Sequence, residues 1–479
     1  MNRVKKNGES FRKKGGVGMI RKISSVIAFA LLCFGYAFLS WASLVITSPS
    51  TLPDAANGEF YTFQLEAEGA VGDVVWEIET GEMEYVEVET PHHSAGTASA
   101  VQIMDHHGGM RKMDLPFVFP YYGWAYRKMR IGEAGNMGPL YSSIGSPSVS
   151  ALRGWLIMAP FWRSWHNSAP EAVYAEAVPW RFVVTWKGRK SGSQTDDINY
   201  QGIIYPSGEI EFNYGDGNED LDPVVGISGG DYEHYVISVK NGATDLDRAP
   251  SSRFMLSALP PKLELHAGAG IISGTPEQCG LFASRVQVQD LGSPDPAVSK
   301  VFSIAVPGLF IRSRPYGVFI RRGEANVISW AGAGIGDRVT VKLYRGGELL
   351  EAILDDAPNE EGVLWQPPDE YPLSEDYSVV VEDNSDPPLS DTKPLTIWDN
   401  NVLVQPCCES VQDAVDFARE GDTILIAPGT YVEHLVVKKK ITLAGAGGGE
   451  TVLDGGASGC VLTVINADGV TIRDLTVAY

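Results

Sequence analysis

Apolar and polar residues alternate along much of this chain, and a period of two is the pattern of half-buried β-strands. Examples near the start are Tyr61, Phe63 and Leu65, followed less regularly by Val74, Trp76 and Ile78. Glycine and proline interrupt the runs often, and no long segment has a helical period. The sequence therefore predicts a mainly β chain built of sandwiches, with a different arrangement in its last part.

That last part begins with a helical pattern. Apolar residues recur at helical spacing between Val411 and Ala418. Ser410 and Asp413 make a capping-box pattern before them, and Gly421 can end the helix. Short β-rich runs follow, and their apolar residues form two series that step by roughly 20 residues, the low end of solenoid periods. The first series is Ile424, Ile441 and Leu462, and the second is Leu435, Val452 and Ile472.

Residues 407–479 resemble the beginning of the right-handed parallel β-helices of the pectin-lyase-like superfamily. The matching residues are Ser410–Val415, Gly421–Ile424, Pro428–Tyr431 with Glu433, and Leu443–Gly445. The resemblance implies that the helix caps the first coil, which would otherwise expose its apolar interior and a free strand edge. Only about three coils fit, so we expect a β-helix that is incomplete and a longer parent protein. An ordinary sandwich is the alternative.

The first 42 residues have the order of an export signal. Basic residues precede the apolar run Ile23–Leu39, and Ser40 and Ala42 supply the small residues of a cleavage site. We expect cleavage before Ser43. An uncleaved membrane anchor is the alternative, because the run is about long enough to span a bilayer. Both interpretations predict a bacterial protein that is secreted or held at the cell surface.

The formal net charge is −22, and the body is more acidic still because basic residues concentrate in the leader. Such a body argues against a nucleic-acid partner. The cysteines show no metal-ligand spacing, and a bridge from the vicinal pair Cys407-Cys408 to Cys460 is the pairing left open. A nucleophile elbow, a P-loop, an HExxH motif and a dinucleotide fingerprint are all missing.

Two separated segments, residues 44–80 and 259–306, carry complementary parts of one pattern. The matching residues are Leu52–Ala55, Trp76, Ser273–Pro276 and Phe282–Val288. Together they resemble the He_PIG-type immunoglobulin-like domain of bacteria. The resemblance implies one sandwich that is split by an insertion, and insertions at exposed loops are tolerated. Domains of this kind usually serve as spacers or adhesive modules.

The inserted residues, 82–257, carry six of the eleven tryptophans. Their strand-like runs are broken by glycine and proline, which predicts a β-sandwich or jelly roll. These runs are Leu115–Ile131, Gly154–Trp165, Trp180–Gly188, Tyr200–Gly215 and Val224–Gly230.

Residues 309–397 form a further predicted unit. Its strands are Val327–Trp330, Val339–Tyr344, Gly362–Trp365 and Asp376–Val381. This order resembles the KNH-type immunoglobulin-like domain of cell-wall and surface proteins. We expect a short linker around residues 399–406 between this unit and the last part of the chain.

One acidic turn offers alternating oxygen ligands, from Asp216, Asn218, Asp220 and Asp222. This spacing suits Ca²⁺. However, Leu221 occupies the place where an EF-hand loop needs glycine, so the favoured interpretation is a solvated acidic turn. No other cofactor is evident. Two histidine pairs, His92-His93 and His106-His107, are expected in loops without a ligand role, because adjacent strand residues point to opposite faces.

Four tryptophans of the insert could stack on the apolar face of a sugar ring: Trp124, Trp155, Trp162 and Trp165. The alternative, which we favour, places most of them in the core.

In the last part, Asp454, Asp468 and Asp474 are candidates for acid–base or Ca²⁺ roles, because enzymes of the resembled superfamily use Asp clusters with Arg or Lys. The same residues lie in ordinary turn sequences. Arg473 and Asp474 should face opposite ways. We therefore assign no catalytic residue.

Three functional interpretations remain open. The first is a non-catalytic exported protein in which immunoglobulin-like modules space a β-helix that contacts polysaccharide or a cell-surface glycan. The second is the front part of a polysaccharide lyase, glycoside hydrolase or carbohydrate esterase. The third is a Ca²⁺-dependent adhesin. We rank them in this order. We expect contact with a membrane only if the leader is not cleaved.

Overall fold

The computed structural model describes residues 43–478 apart from 94–99, 106–108, 141–145, 164–171, 190–196, 314–316, 400, 405–409 and 457–458. Strands dominate this part of the chain, so the prediction of a mainly β protein is confirmed. Within the same residues, the helices are α1 (Val149–Arg153) and α2 (Val411–Phe417). In the described part of the chain, no helix is long and apolar enough to cross a membrane.

The first unit is an antiparallel sandwich whose strands come from two distant segments of the chain. Its strands are β1 (Val45–Ile46), β2 (Tyr61–Gln64), β3 (Ala67–Glu68), β4 (Val74–Glu79), β18 (Leu263–His266), β19 (Ile271–Gly274), β20 (Gly280–Asp290) and β21 (Val298–Val306). One sheet has the order β18-β19-β2, another has the order β21-β20-β4, and β1 pairs with β3. Phe63 pairs with Ile272 and Trp76 with Val288, so each main sheet joins both segments.

The residues between these segments form a second, larger sandwich. Its strands are β5 (Tyr85–Thr90), β6 (Val101–Asp105), β7 (Met110–Tyr121), β8 (Trp124–Gly132), β9 (Asn136–Gly138), β10 (Leu156–Trp162), β11 (Ala172–Val178), β12 (Arg181–Arg189), β13 (Asp197–Ile204), β14 (Ile210–Tyr214), β15 (Val224–Gly229), β16 (Tyr235–Ile237) and β17 (Ser251–Leu256). The six-stranded sheet has the order β16-β15-β10-β9-β8-β7, and the seven-stranded sheet has the order β5-β17-β14-β13-β12-β11-β6.

Aromatic side chains fill the space between these two sheets. Tyr200 stacks on Phe161 and on Trp186, with ring centroids 4.8 and 5.3 Å apart. Alternation along the seven-stranded sheet sends the neighbouring residues to its other face. There the strands place buried polar residues, among them Arg181 and Glu211. A buried polar face needs partners, and these come in part from the insert itself and in part from the third unit.

The third unit is a sandwich of eight strands. They are β22 (Gly308–Arg312), β23 (Val318–Arg321), β24 (Asn326–Ala333), β25 (Arg338–Arg345), β26 (Glu348–Pro358), β27 (Gly362–Trp365), β28 (Ser374–Asp383) and β29 (Ser390–Trp398). The sheets have the orders β22-β24-β27 and β23-β29-β28-β25-β26. The edge pair of β23 and β29 is parallel. Trp330, Val341 and Leu395 are fully buried between the sheets.

The last part of the chain forms three parallel ladders. Its strands are β30 (Asn401–Val404), β31 (Thr423–Ile426), β32 (Gly429–Val432), β33 (Leu435–Val437), β34 (Thr442–Gly445), β35 (Thr451–Asp454), β36 (Leu462–Val464), β37 (Thr471–Arg473) and β38 (Thr476–Ala478). The ladders have the orders β30-β31-β34-β37, β32-β35-β38 and β33-β36. The helix α2 packs on the apolar interior through Val411, Ala414 and Val415.

Two sequence predictions for this part are wrong. Half of the expected linker, residues 401–404, is a strand that pairs in parallel with β31. The predicted stacking series also fail, because Ile424 pairs with Leu443 rather than Ile441, and Leu435 pairs with Leu462. Turns of unequal length separate the strands, so no constant step can describe their register.

Candidate functional site

The third unit docks on the polar face of the insert through the loop that joins β26 to β27. The indole Nε1 of Trp180 donates to the carbonyl oxygen of Glu360 at 2.9 Å. Arg181 donates to the carboxylates of Glu176 and Glu360. Burial alone would lower the pKa of Arg181, but the hydrogen bond and charge of Glu360 raise it. We call this contact the Trp180 junction.

Close approach of the backbone fixes the same junction. A Cβ atom on Gly362 would lie 2.5 Å from Cδ2 of Trp180, so only glycine fits there without a shift. The preceding residue, Glu361, has a φ of 59°, a left-handed conformation that costs energy for a residue with a side chain. Its carbonyl oxygen accepts from the backbone nitrogen of Trp330 at 3.0 Å, which holds the loop in this shape.

An ionic cluster lies beside the junction on the same face. Glu211 Oε1 is 3.3 Å from His93 Nδ1, and Glu211 Oε2 accepts from the hydroxyl of Tyr205 at 3.1 Å. Arg253 donates to Glu209 at 2.9 Å, and its guanidinium carbon lies 5.4 Å from the ring centroid of Tyr205. The cluster thus joins five residues from three separate stretches of the insert.

The charges of this cluster are strongly coupled. Burial alone would raise the pKa of Glu211, but the His93 hydrogen bond and the charge of Arg253 lower it to about 2. The hydrogen bond to Glu211 raises the pKa of His93. Burial raises the pKa of Glu361 despite the nearby charges of Arg253 and Arg312. The cluster therefore keeps Glu211 ionised at neutral pH and favours a protonated His93.

A second junction joins the third unit to the parallel ladders. Arg321 donates to the carboxylate of Asp422, and its guanidinium carbon lies 4.5 Å from the ring centroid of Trp398. Both Arg321 and Asp422 are buried. Glu324 forms an ion pair with Arg419. We call this contact between the third unit and the parallel ladders the Arg321 junction.

A cleft of about 350 Å³ lies in the insert, beside the first residues of α1 and β15. Its polar lining comes from Ser146, Arg163, Asp222 and Asn241, and its apolar lining from Pro147, Val149, Pro223 and Val224. Val224 also packs on the apolar cluster that contains Trp162, so this part of the cleft wall rests on core residues. We call it the Arg163 cleft.

The tryptophans proposed for sugar stacking do not form one platform in the described residues. Trp162 is 1% exposed and belongs to the core, so its ring has no free face for a sugar. Trp155 packs against the same cluster. Trp124 is 72% exposed, but it lies on β8, which β9 separates from the strand of Trp162. Trp165 lies outside the described residues.

The four residues proposed as Ca²⁺ ligands have different surroundings in the structure. Asp216 pairs with Arg248. Asn218 is buried, and its amide donates to the carbonyl oxygens of Asn199 and Gly215. Of the other two, Asp220 lies in a left-handed turn and Asp222 lines the Arg163 cleft. Among the described residues, no three His, Cys, Asp or Glu side chains gather into a metal-binding group. Calcium binding at this turn stays a prediction.

Each of the three candidate aspartates of the parallel part either has a local partner or is exposed. Asp454 accepts from the backbone nitrogen of Gly456 at 2.8 Å, and Asp468 is exposed. Asp474 forms a 2.5 Å ion pair with Arg473. The prediction that Asp474 and Arg473 face opposite ways is wrong, because Asp474 has left the extended conformation with a φ of 57°.

Only some of the cysteines and histidines considered in the sequence lie in the described part of the chain. Cys460 is a free thiol, whereas Cys407 and Cys408 lie outside the described residues, as do His106 and His107. His93 has a partner that sequence reasoning missed, since Glu211 is far away along the chain. The one available signal was the polar side chains at alternate positions of otherwise apolar strands.

No protein family model matches this chain, and no curated protein is similar to it. Among solved structures, it aligns with the fibronectin(III)-like modules of Clostridium thermocellum CbhA at 11% identity over 40% of this chain and 85% of that one, with a TM-score of 0.14. The immunoglobulin domains 1–5 of Sidekick-1 align at 11% identity over 74% and 59%, with a TM-score of 0.14. A Bacteroides ovatus mixed-linkage glucan utilization locus protein, SGBP-B, in complex with a mixed-linkage heptasaccharide aligns at 9% identity over 74% and 70%, with a TM-score of 0.16. TM-scores this low carry no argument about function.

Proposed function

We propose that this chain is an exported, non-catalytic spacer and adhesion protein of a bacterial cell surface. Its sandwiches are immunoglobulin-like modules of the He_PIG and KNH types, and its last part is the capped start of a parallel β-helix that contacts polysaccharide. The observation that carries the proposal is the pair of junctions between units. A spacer must hold its modules in a set orientation, and both junctions use buried ionic and aromatic contacts instead of a free linker.

Further support comes from the join between the two nested sandwiches. Val86 and Met255 of the insert pack against Ala283 of the split sandwich, and Arg285 of that sandwich pairs with Glu79 and Glu84. Parallel ladders stacked on a capping helix suit the β-helix interpretation, because such a stack buries a continuous apolar interior. Export follows from the order of the leader.

The test of the spacer function is a glycine substitution at the Trp180 junction. Gly362→Ala places a methyl group 2.5 Å from Trp180, and overpacking of this kind costs roughly 1–3 kcal/mol. Gly268→Ala is the matched control, since a Cβ there meets no atom within 4 Å. We expect Gly362→Ala alone to increase the radius of gyration in small-angle X-ray scattering and to speed hydrogen exchange in the loop before β27.

Two results would contradict the spacer proposal. One is scattering by the unaltered protein that only freely moving units can describe. The other is a Gly362→Ala protein that keeps both the radius of gyration and the exchange rates of the control. In the first case the junctions do not persist in solution, and in the second they do not set the orientation of the units.

The absence of catalysis has its own test. Residues 43–479 are incubated with pectate, alginate and neutral glycans, with and without Ca²⁺, and unsaturated or reducing ends are measured against a heat-killed control. We expect no release, because acid–base catalysis needs groups within hydrogen-bond reach of one bond, whereas Asp454 and Asp474 are each held by a different local partner, the backbone nitrogen of Gly456 and the side chain of Arg473. Release that is lost on Asp454→Ala would favour a polysaccharide lyase, hydrolase or esterase instead.

A further inference from the structure

We propose that the Arg163 cleft binds the carboxylate of an acidic sugar, a uronate unit of a polysaccharide. The inference rests on the proposed function in taking a polysaccharide as the source of the ligand, but it assigns the contact to the insert and not to the parallel ladders. The observations behind it are an arginine whose Nη1 atom has no hydrogen-bond partner among the described residues, and the side chains that line the cleft with it.

The first observation is the state of Arg163. Its Nη1 atom is buried and has no hydrogen-bond partner among the described residues. Within the same part of the chain, no carboxylate lies at ion-pair distance from it, although Asp222 lines the same cleft. A guanidinium nitrogen that is buried without an acceptor is costly, and Arg163 as a whole is half-buried and lines the cleft. A ligand that brings an anionic acceptor removes that cost, and the planar guanidinium fork matches a carboxylate in two-bond geometry.

The second observation is the chemistry of the remaining lining. Asn241 accepts from the backbone nitrogen of Val225 through Oδ1 at 3.2 Å, which orients the amide and leaves its NH₂ end to donate. Asp222 supplies an acceptor and Ser146 a hydroxyl. Sugar hydroxyls both donate and accept, so this mixture of polar groups suits them. The proline and valine side chains of the lining suit the apolar face of a ring.

The third observation is size and charge. The volume of about 350 Å³ lies at the small end of the range of ligand pockets, which suits one or two sugar rings rather than a long segment. The acidic cleft residue Asp222 and the net charge of −22 disfavour densely charged ligands such as polyphosphates. A uronate carries one carboxylate among several hydroxyls, and this is the balance that the lining offers.

The experiment is a calorimetric titration of the full chain with trigalacturonate and with the neutral trisaccharide galactotriose. Galacturonate monosaccharide is titrated as a third ligand. Comparing it with trigalacturonate shows whether the cleft binds a free sugar acid or a uronate unit within a polysaccharide. We expect the acidic trisaccharide to bind about tenfold more tightly than the neutral one, because a hydrogen bond to a charged group is worth at least that factor. Arg163→Met should remove this preference.

Arg127→Met is the matched control, since Arg127 is exposed on β8 and does not line the cleft. It should keep the full preference. Thermal melting of each variant checks its folding. If Arg163→Met does not fold, Arg163→Lys replaces it, and this variant should lose part of the preference because lysine keeps the charge but not the fork.

Three results would overturn the proposal. They are equal affinity for the acidic and neutral trisaccharides, no heat from any of the three ligands up to tens of millimolar, or a preference that a folded Arg163 variant retains in full. None of them bears on the scattering test of the junctions, so the binding proposal and the spacer proposal can fail separately.

Discussion

Replacing Glu211 with glutamine tests how much the ionic cluster stabilises the insert. The pKa of Glu211 falls from an ordinary 4.5 to about 2 in the folded protein. Since one pKa unit corresponds to about 1.4 kcal/mol, the ionised carboxylate contributes about 3 kcal/mol at neutral pH. Glu211 is 5% exposed, so solvent screens little of this energy. This figure already includes the attraction between Glu211 and Arg253, which is one cause of the lowered pKa.

Hydrogen exchange measured by mass spectrometry is the appropriate assay, because a chain of several units does not unfold in one step. Peptides that cover β14 and β17 report the opening of the seven-stranded sheet. We expect Glu211→Gln to raise their exchange rates at pH 7 by roughly two orders of magnitude. Glu219→Gln removes an exposed carboxylate of the same unit and serves as the control.

The dependence on pH follows from the directions of the two pKa shifts. The pKa of Glu211 is lowered on folding, so its contribution is complete above about 4.5 and is lost as the pH falls toward 2. The pKa of His93 is raised on folding, so its contribution is complete below 6.5 and is lost as the pH rises through the folded value. The difference between the unaltered protein and Glu211→Gln should therefore shrink below pH 4.5. Equal exchange of the two proteins at pH 7 would refute the reasoning.

Two further predictions concern single side chains. Trp162→Ala should cost about 3–5 kcal/mol of stability by emptying a core position. The melting temperature of this variant should lie well below that of Trp124→Ala, which removes an exposed ring. Equal melting temperatures of the two variants would contradict the core assignment. Asp290→Ala should speed exchange at Val71 and Gly72, whose backbone nitrogens donate to this carboxylate at 2.6 and 3.0 Å; unchanged exchange there would show that these hydrogen bonds do not hold the loop.

The local features of the fold were predictable from sequence. The capping pattern at Ser410 predicted a helix from Val411, and in the structure the Ser410 hydroxyl oxygen accepts from the backbone nitrogen of Asp413 at 2.9 Å. Alternation of Tyr61, Phe63 and Leu65 likewise predicted a half-buried strand, and in the structure Tyr61 and Leu65 are buried while Phe63 packs, partly buried, against the same core. Each signal lies within a few residues of the element that it specifies, so no distant partner is needed to interpret it.

The candidate sites depend on distant partners, and there the sequence was a poor guide. The charged partners of Glu211, His93 and Arg253, lie near the two ends of the insert, and the docking of Gly362 depends on Trp180 of another unit. Arg163 follows a run of core residues, and nothing adjacent to it indicates that Asp222 and Asn241 share its cleft. Hydrophobic patterns specify which face is buried, but they do not specify which element covers it.

The division of the first sandwich has a consequence for the order of folding. Arg285 meets Glu79 across a sequence separation of 206 residues, and closing so long a loop is entropically unfavourable. The insert brings its own ends together when Tyr85 of β5 pairs with Leu256 of β17. Once it has formed, the remaining gap between β4 and β18 is short, and the closure cost of the sandwich falls by about 2 kcal/mol. The insert thus acts as a template for the domain that encloses it, and pulse-labelling should find β12 protected before β19.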